Sequence, residues 1–187
     1  MFKTKLAASA AMVTFVLCAP AFAADEGEAG KGGFINEIRM GLYDHNTDLM
    51  GSRHETSKPD VNLEVLFNGP SWLQWMAEPR IHLGTNLNTG SGTSSAYTGL
   101  VWDFNLTDSL FIEGSFGAAI HDGKTDRETP NNLDLGCRVL FHENASIGYR
   151  ITPNTSVMVS VDHMSSAALC NPNPGLTDVG VRLGYSF

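Results

Sequence analysis

The chain has 187 residues and a formal net charge of -8, with 12 Lys and Arg against 20 Asp and Glu. That balance argues against a nucleic-acid binder, which needs clustered basic residues. Beyond the N-terminus no stretch approaches the ~18 uncharged apolar residues of a transmembrane helix, so a membrane protein of this sequence would cross with strands.

The chain opens as an export signal. Lys3 and Lys5 form a basic start, residues 6–17 an apolar stretch, and Ala21-Phe22-Ala23 a small-x-small cleavage site. Residues 1–23 are therefore expected to be a signal peptide and residues 24–187 one domain. Cys18 follows Leu17, where a lipoprotein site would need a small residue, and leaves with the leader. Cys137 and Cys170 remain, in a chain bound for an oxidising compartment. The alternatives are one bridge or two unpaired thiols.

From Gly33 onward apolar residues recur at every second position, in segments of about ten separated by Gly, Asn, Asp or Pro. Ile38, Met40 and Leu42 form the first row; Val61, Leu63, Val65 and Phe67 the second; Ile81, Leu83, Thr85 and Leu87 the third. Leu100, Trp102 and Phe104 follow, then Ile112, Phe116, Ala118 and Ile120. A long sixth segment carries Leu135, Val139, Phe141, Ile147 and Tyr149; the seventh carries Val157, Val159 and Val161; the eighth Val179, Val181, Leu183, Tyr185 and Phe187.

Between these rows lies a face of mixed charge: Glu37, Arg39, Glu64, Arg80, Asp103, Glu113, Arg138, Arg150, Asp162, Asp178 and Arg182. In a soluble sandwich those charges would lie in water. In a barrel they would pair inside while the apolar face meets lipid. The even strand count, the terminal Tyr185-Ser186-Phe187, and Trp72 and Trp75 in a connection where an interfacial girdle would sit favour the barrel. The expected fold is all-β, an eight-stranded antiparallel transmembrane β-barrel with periplasmic termini. Segments 47–59, 123–132 and 166–176 then share the outer end. Cys137 and Cys170 lie close to or within two of them, which favours the bridge.

The seventh segment breaks its own pattern. Along Val157, Val159, Val161, His163, Ser165 the lipid-facing row ends in an imidazole and a hydroxyl, groups that are costly there without partners. A Ser beside a His is the minimal pair for nucleophilic attack on an acyl carbon, with the imidazole as base. The same two residues would also suit a strand simply leaving hydrocarbon at the headgroup boundary.

The run from His163 to Leu176, His-Met-Ser-Ser-Ala-Ala-Leu-Cys-Asn-Pro-Asn-Pro-Gly-Leu, resembles the lipid A 3-O-deacylase family, whose signature is His-x-Ser-Asn-Ala, a loop with Asn, Pro and Gly, and a closing strand. The resemblance implies an eight-stranded outer-membrane barrel that hydrolyses an ester-linked acyl chain of lipid A, with Ser165 as nucleophile and His163 as base. It places Asn173 and the backbone N–H of Ala168 where the oxyanion would be held. Ser166 departs from the motif's Asn. Thr177 stands where the best-known members carry the Glu that orients the His.

A replacement acid follows from register. With a tight turn within residues 152–155, outward positions of the sixth and seventh strands pair so that Glu143 falls beside His163 or Ser165. Glu143 is also the charge that interrupts the apolar row Val139, Phe141, Ala145, Ile147. It is therefore the candidate to orient His163.

His45, His54, His82, His121 and His142 show no metal-ligand spacing along the chain, and neither metal nor cofactor is expected. The partners implied are lipid A, or lipopolysaccharide, and the surrounding outer-membrane lipid; a homodimer stays open. Two rivals remain: a noncatalytic adhesion or membrane-stabilising barrel with a degenerate site, and a phospholipase-type esterase.

Overall fold

The computed structural model describes residues 33–47, 49, 55, 58–126 and 133–187. The expected signal peptide and His54 lie outside them. The apolar segments all form strands: β1 Ile35–Asp44, β2 Asp60–Phe67, β3 Arg80–Asn88, β4 Ser95–Asn105, β5 Leu110–His121, β6 Val139–Arg150, β7 Thr155–Ser165 and β8 Leu176–Ser186. Each pairs antiparallel with its neighbours, and β8 closes on β1, so the sheet has no free edge. The exposed side chains Ile38, Met40, Leu42, Leu83, Phe116, Ile147, Val159 and Val181 make an apolar exterior.

The interior is a mesh of paired charges. Arg39 bonds Glu37 at 2.7 Å, Glu64 at 3.1 Å and Glu113 at 2.6 Å, while Arg182 reaches Glu64 and Glu113 at 3.0 Å each. Pairing is what makes such burial tolerable, because an isolated ion in this interior would cost several kcal/mol. Inward aromatics fill the remaining space against inward glycines: Tyr97 lies over Gly84, Phe111 over Gly148 and Tyr43 over Gly180, where a Cβ would collide with the rings. The lumen is packed, so a lipid substrate would have to be met outside.

The sixth segment differs from its expected extent. β6 begins at Val139, and Leu135 lies ahead of it, buried with Tyr97, Ala119, Leu133, Leu140, Met164 and Leu176 beneath the loops. Gly136, at φ +76°, turns the chain over the barrel mouth before pairing begins, which takes Leu135 out of the alternating row. Arg138 consequently lies exposed at the rim and donates to the carbonyls of His121 and Gly123 instead of joining the charged interior.

Both chain ends of the barrel lie at one rim with the short turns after β4 and β6. The connection after β2 at the same rim folds into a 3-10 helix, Ser71–Met76, that leaves Trp72 and Trp75 exposed. Trp102 of β4 donates its Nε1–H to the Met76 carbonyl at 2.7 Å and fixes that helix to the barrel. The opposite rim carries the connections after β1, β3, β5 and β7 and the Cys137–Cys170 disulfide, whose Cα atoms are 5.8 Å apart. The bridge ties the start of β6 to the loop between β7 and β8.

Candidate active site

His163 and Ser165 occupy the last two outward positions of β7. Inward neighbours Asp162 and Met164 are buried, whereas His163 and Ser165 are half-buried on the outer wall at the loop-bearing rim. The tight turn after β6 closes through Ile151 N–H to the Thr155 carbonyl at 2.9 Å, and the strand pairing that grows from it sets Glu143 directly across from His163 and Phe141 across from Ser165. On the other side β8 sets Thr177 across from His163. The outward row therefore runs Phe116, Glu143, His163, Thr177 over four strands.

The imidazole leans toward β8. Its Nδ1 lies 2.8 Å from Thr177 Oγ1, and Thr177 is itself buried, its carbonyl accepting from Thr47 N–H at 2.7 Å. Glu143 shares the register position but makes no hydrogen bond to the ring, and its Oε2 is enclosed without a hydrogen-bond partner among the described residues. Among the described residues no hydrogen bond joins Ser165 Oγ to His163 either.

Gly175 is the residue that sequence reasoning left without a role. At φ +70° it turns the loop back onto β7, and a methyl group there would fall 2.8 Å from Cε1 and 3.3 Å from Nε2 of His163. Glycine thus leaves room for the ring along its Nε2 edge. The signal was present in the sequence as the Asn-Pro-Asn-Pro-Gly run, but only folding shows which side chain the glycine accommodates.

The loop after β7 is shaped by its own backbone. Ala167 and Ala168 both adopt left-handed conformations, at φ +49° and +63°, and Leu169 N–H closes a turn onto the Ser166 carbonyl at 2.9 Å. Asn173 accepts the Ser166 N–H through Oδ1 at 2.8 Å, which directs its Nδ2 away from that contact. Asn173 and Ala168 therefore belong to the same turn that follows Ser165. Phe116 and Phe141 stack beside Glu143 with ring centroids 5.9 Å apart, giving the site an apolar flank.

An apolar outer wall around a paired-charge interior, closed by eight strands, defines an outer-membrane β-barrel. The sequence profile of the lipid A 3-O-deacylase (PagL) family matches residues 60–186, and the chain belongs to that family. A lipid A deacylase, PagL, of Bordetella bronchiseptica is 25% identical over 80 residues, a stretch that spans 43% of this chain and 43% of that protein. Among solved structures, the outer-membrane enzyme PagL covers 81% of this chain and 99% of its own at a TM-score of 0.59 and 21% identity. Neisserial surface protein A superposes almost as well, with a TM-score of 0.57, 84% of this chain and 100% of its own covered, at 7% identity. Such likenesses concern the barrel; the family match rests on the sequence.

Proposed function

We propose that the protein is a serine esterase that removes an ester-linked acyl chain from lipid A in the outer leaflet, with its termini in the periplasm. The two longest connections, after β1 and β5, lie at the site-bearing rim and the two shortest turns, after β4 and β6, at the other, as in outer-membrane barrels, whose long loops face outside. The observation that carries the proposal is the placement of Ser165 and His163 on the lipid-facing wall at that rim, in a chain of the deacylase family. Substrate then reaches the site by lateral diffusion and need not enter the packed lumen.

In the proposed reaction Nδ1–H of His163 donates to Thr177 Oγ1, which leaves the Nε2 lone pair free as base. A small rotation toward Ser165 lets Nε2 take the hydroxyl proton while Oγ bonds to the ester carbon. The tetrahedral oxyanion is met by Asn173 Nδ2 and the Ala168 N–H. Collapse breaks the ester bond; the sugar oxygen leaves with the proton from His163, and water releases the fatty acid from Ser165 by the same steps in reverse. Glu143, one strand away, offsets the positive charge that the ring acquires. Its unpartnered Oε2 supports that role.

A degenerate, noncatalytic barrel is the rival, favoured by Thr177 at the acid's position and by the open Ser165–His163 pair. An alkyl fluorophosphonate probe separates the two: covalent labelling of Ser165 in the folded protein, lost in His163→Ala, supports an activated serine, and an unlabelled Ser165 in folded wild type favours the rival.

A further inference from the structure

A second polar cluster lies at the same rim, inside the barrel, and the proposed mechanism does not use it. His45 follows β1, Asp60 opens β2 and Asp178 sits near the start of β8, and one ligand atom from each lies within 4.8 Å of the others. His45 Nδ1 is 2.8 Å from Asp60 Oδ2 and 3.7 Å from Asp178 Oδ1, and the three side chains are 1%, 0% and 3% exposed. Tetrahedral coordination with bonds of 2.0–2.1 Å places neighbouring ligand atoms about 3.3 Å apart, between those two separations.

The surroundings are those of a metal-ligating histidine. Such a ring characteristically gives its other N–H to a carboxylate, which fixes the tautomer and raises the basicity of the ligating nitrogen. His45 Nε2 faces Glu55 Oε2 at 3.2 Å, and that oxygen is held in turn by the Thr93 N–H at 3.0 Å. Asp60 is fixed through its other oxygen by Asn88 Nδ2 at 2.6 Å, and Asp178 through the same Oδ1 that faces His45, which accepts the Asn46 N–H at 2.8 Å. Three buried or half-buried carboxylates thus converge on one imidazole, two at the ligating edge and one behind it.

We infer that His45, Asp60 and Asp178 form a binding site for a first-row divalent metal ion, zinc by its ligand chemistry, with Glu55 as the outer carboxylate. The nitrogen ligand and the small ligand number select zinc over calcium or magnesium, which require an all-oxygen shell of six or more. The metal takes the place of the proton that Nδ1 shares with Asp60, so binding releases that proton to solvent. No covalent chemistry is assigned to it; three protein ligands and a water satisfy the ion. Its effect is to lock the ends of β1, β2 and β8 together, one residue from Thr177, which holds the catalytic histidine. No spacing along the chain announces this site because each ligand comes from a different strand end.

The test uses the full barrel folded in detergent, stripped with chelator and dialysed against zinc chloride, with bound metal counted by mass spectrometry and folding read from heat-dependent migration on a gel. Wild type should retain about one zinc per chain, and Asp178→Asn and His45→Ala should weaken binding on the order of 10-fold or more. Glu55→Gln, which leaves all three ligands in place, should still weaken it measurably and serves where the buried variants do not fold. Folded wild type that emerges without zinc overturns the inference. So does zinc affinity unchanged in folded Glu55→Gln together with either folded ligand variant, or preferential retention of calcium when both ions are offered.

Discussion

The lumen and the outer wall of this barrel treat polar groups in opposite ways. Inside, each guanidinium of Arg39 and Arg182 is shared between the carboxylates Glu64 and Glu113, and the network extends through Asn144, Ser146 and Ser160. On the wall, among the described residues, the row Glu143, His163, Thr177 holds a carboxylate oxygen without a hydrogen-bond partner, and Ser165, one outward position further along β7, makes no hydrogen bond to His163. The first arrangement is built for stability, since Arg39 and Arg182 each have their counter-charges in place before anything binds. The second has capacity to spare, which is what a site must keep for a reacting substrate.

That contrast can be broken by experiment, and the largest effect should come from the wall. His163→Ala should lower deacylation on the order of 10⁴-fold, as loss of the base does in serine hydrolases, with the unfolding midpoint near wild type; an equal loss of stability would mean that His163 is a structural residue. Next, Arg182→Ala leaves Glu64 and Glu113 to share the single charge of Arg39 and should cost about 3 kcal/mol in urea unfolding from micelles, while any molecules that remain folded keep their specific activity. A change below about 1 kcal/mol would show that the interior is hydrated and its charges are not mutually dependent.

Glu143→Gln comes third. It removes the charge facing the ring and should reduce kcat by about 10–100-fold with KM little altered, the pattern of an interaction made in the transition state. Thr177→Val should be the mildest. It frees Nδ1, so the ring is less often presented in the reactive tautomer, and a loss of a few-fold in kcat is expected, at the scale of one neutral hydrogen bond of about 1 kcal/mol. If Thr177→Val were the more damaging of the two, the hydroxyl and not the carboxylate would be the group that supports His163 in turnover.

Most of the architecture was legible because a barrel wall enforces a period of two on every strand, and a one-residue slip would expose the whole charged set to lipid. The facing of Glu143 and His163 could be read for the same reason: a short turn fixes register, and register fixes neighbours. What resisted reading is what depends on the third dimension at strand ends. Leu135 has the right parity for β6, yet Gly136 folds it over the mouth. Phe111, Tyr97 and Tyr43 fall on the polar face, and the glycines that receive their rings lie on neighbouring strands. The choice of His163 between Glu143 and Thr177 is a rotamer choice that no alternation encodes, and the His45, Asp60, Asp178 cluster joins residues that share no local pattern.

The central claim is that the wall row acts on a membrane lipid, and it is tested most directly by mass spectrometry of lipid A from Gram-negative cells expressing wild type or Ser165→Ala at equal levels in the outer membrane. Wild type should shift lipid A by the mass of one ester-linked hydroxyacyl chain, and Ser165→Ala should leave it unshifted. Lipid A unchanged in both, with the wild-type barrel folded and present, would contradict the account.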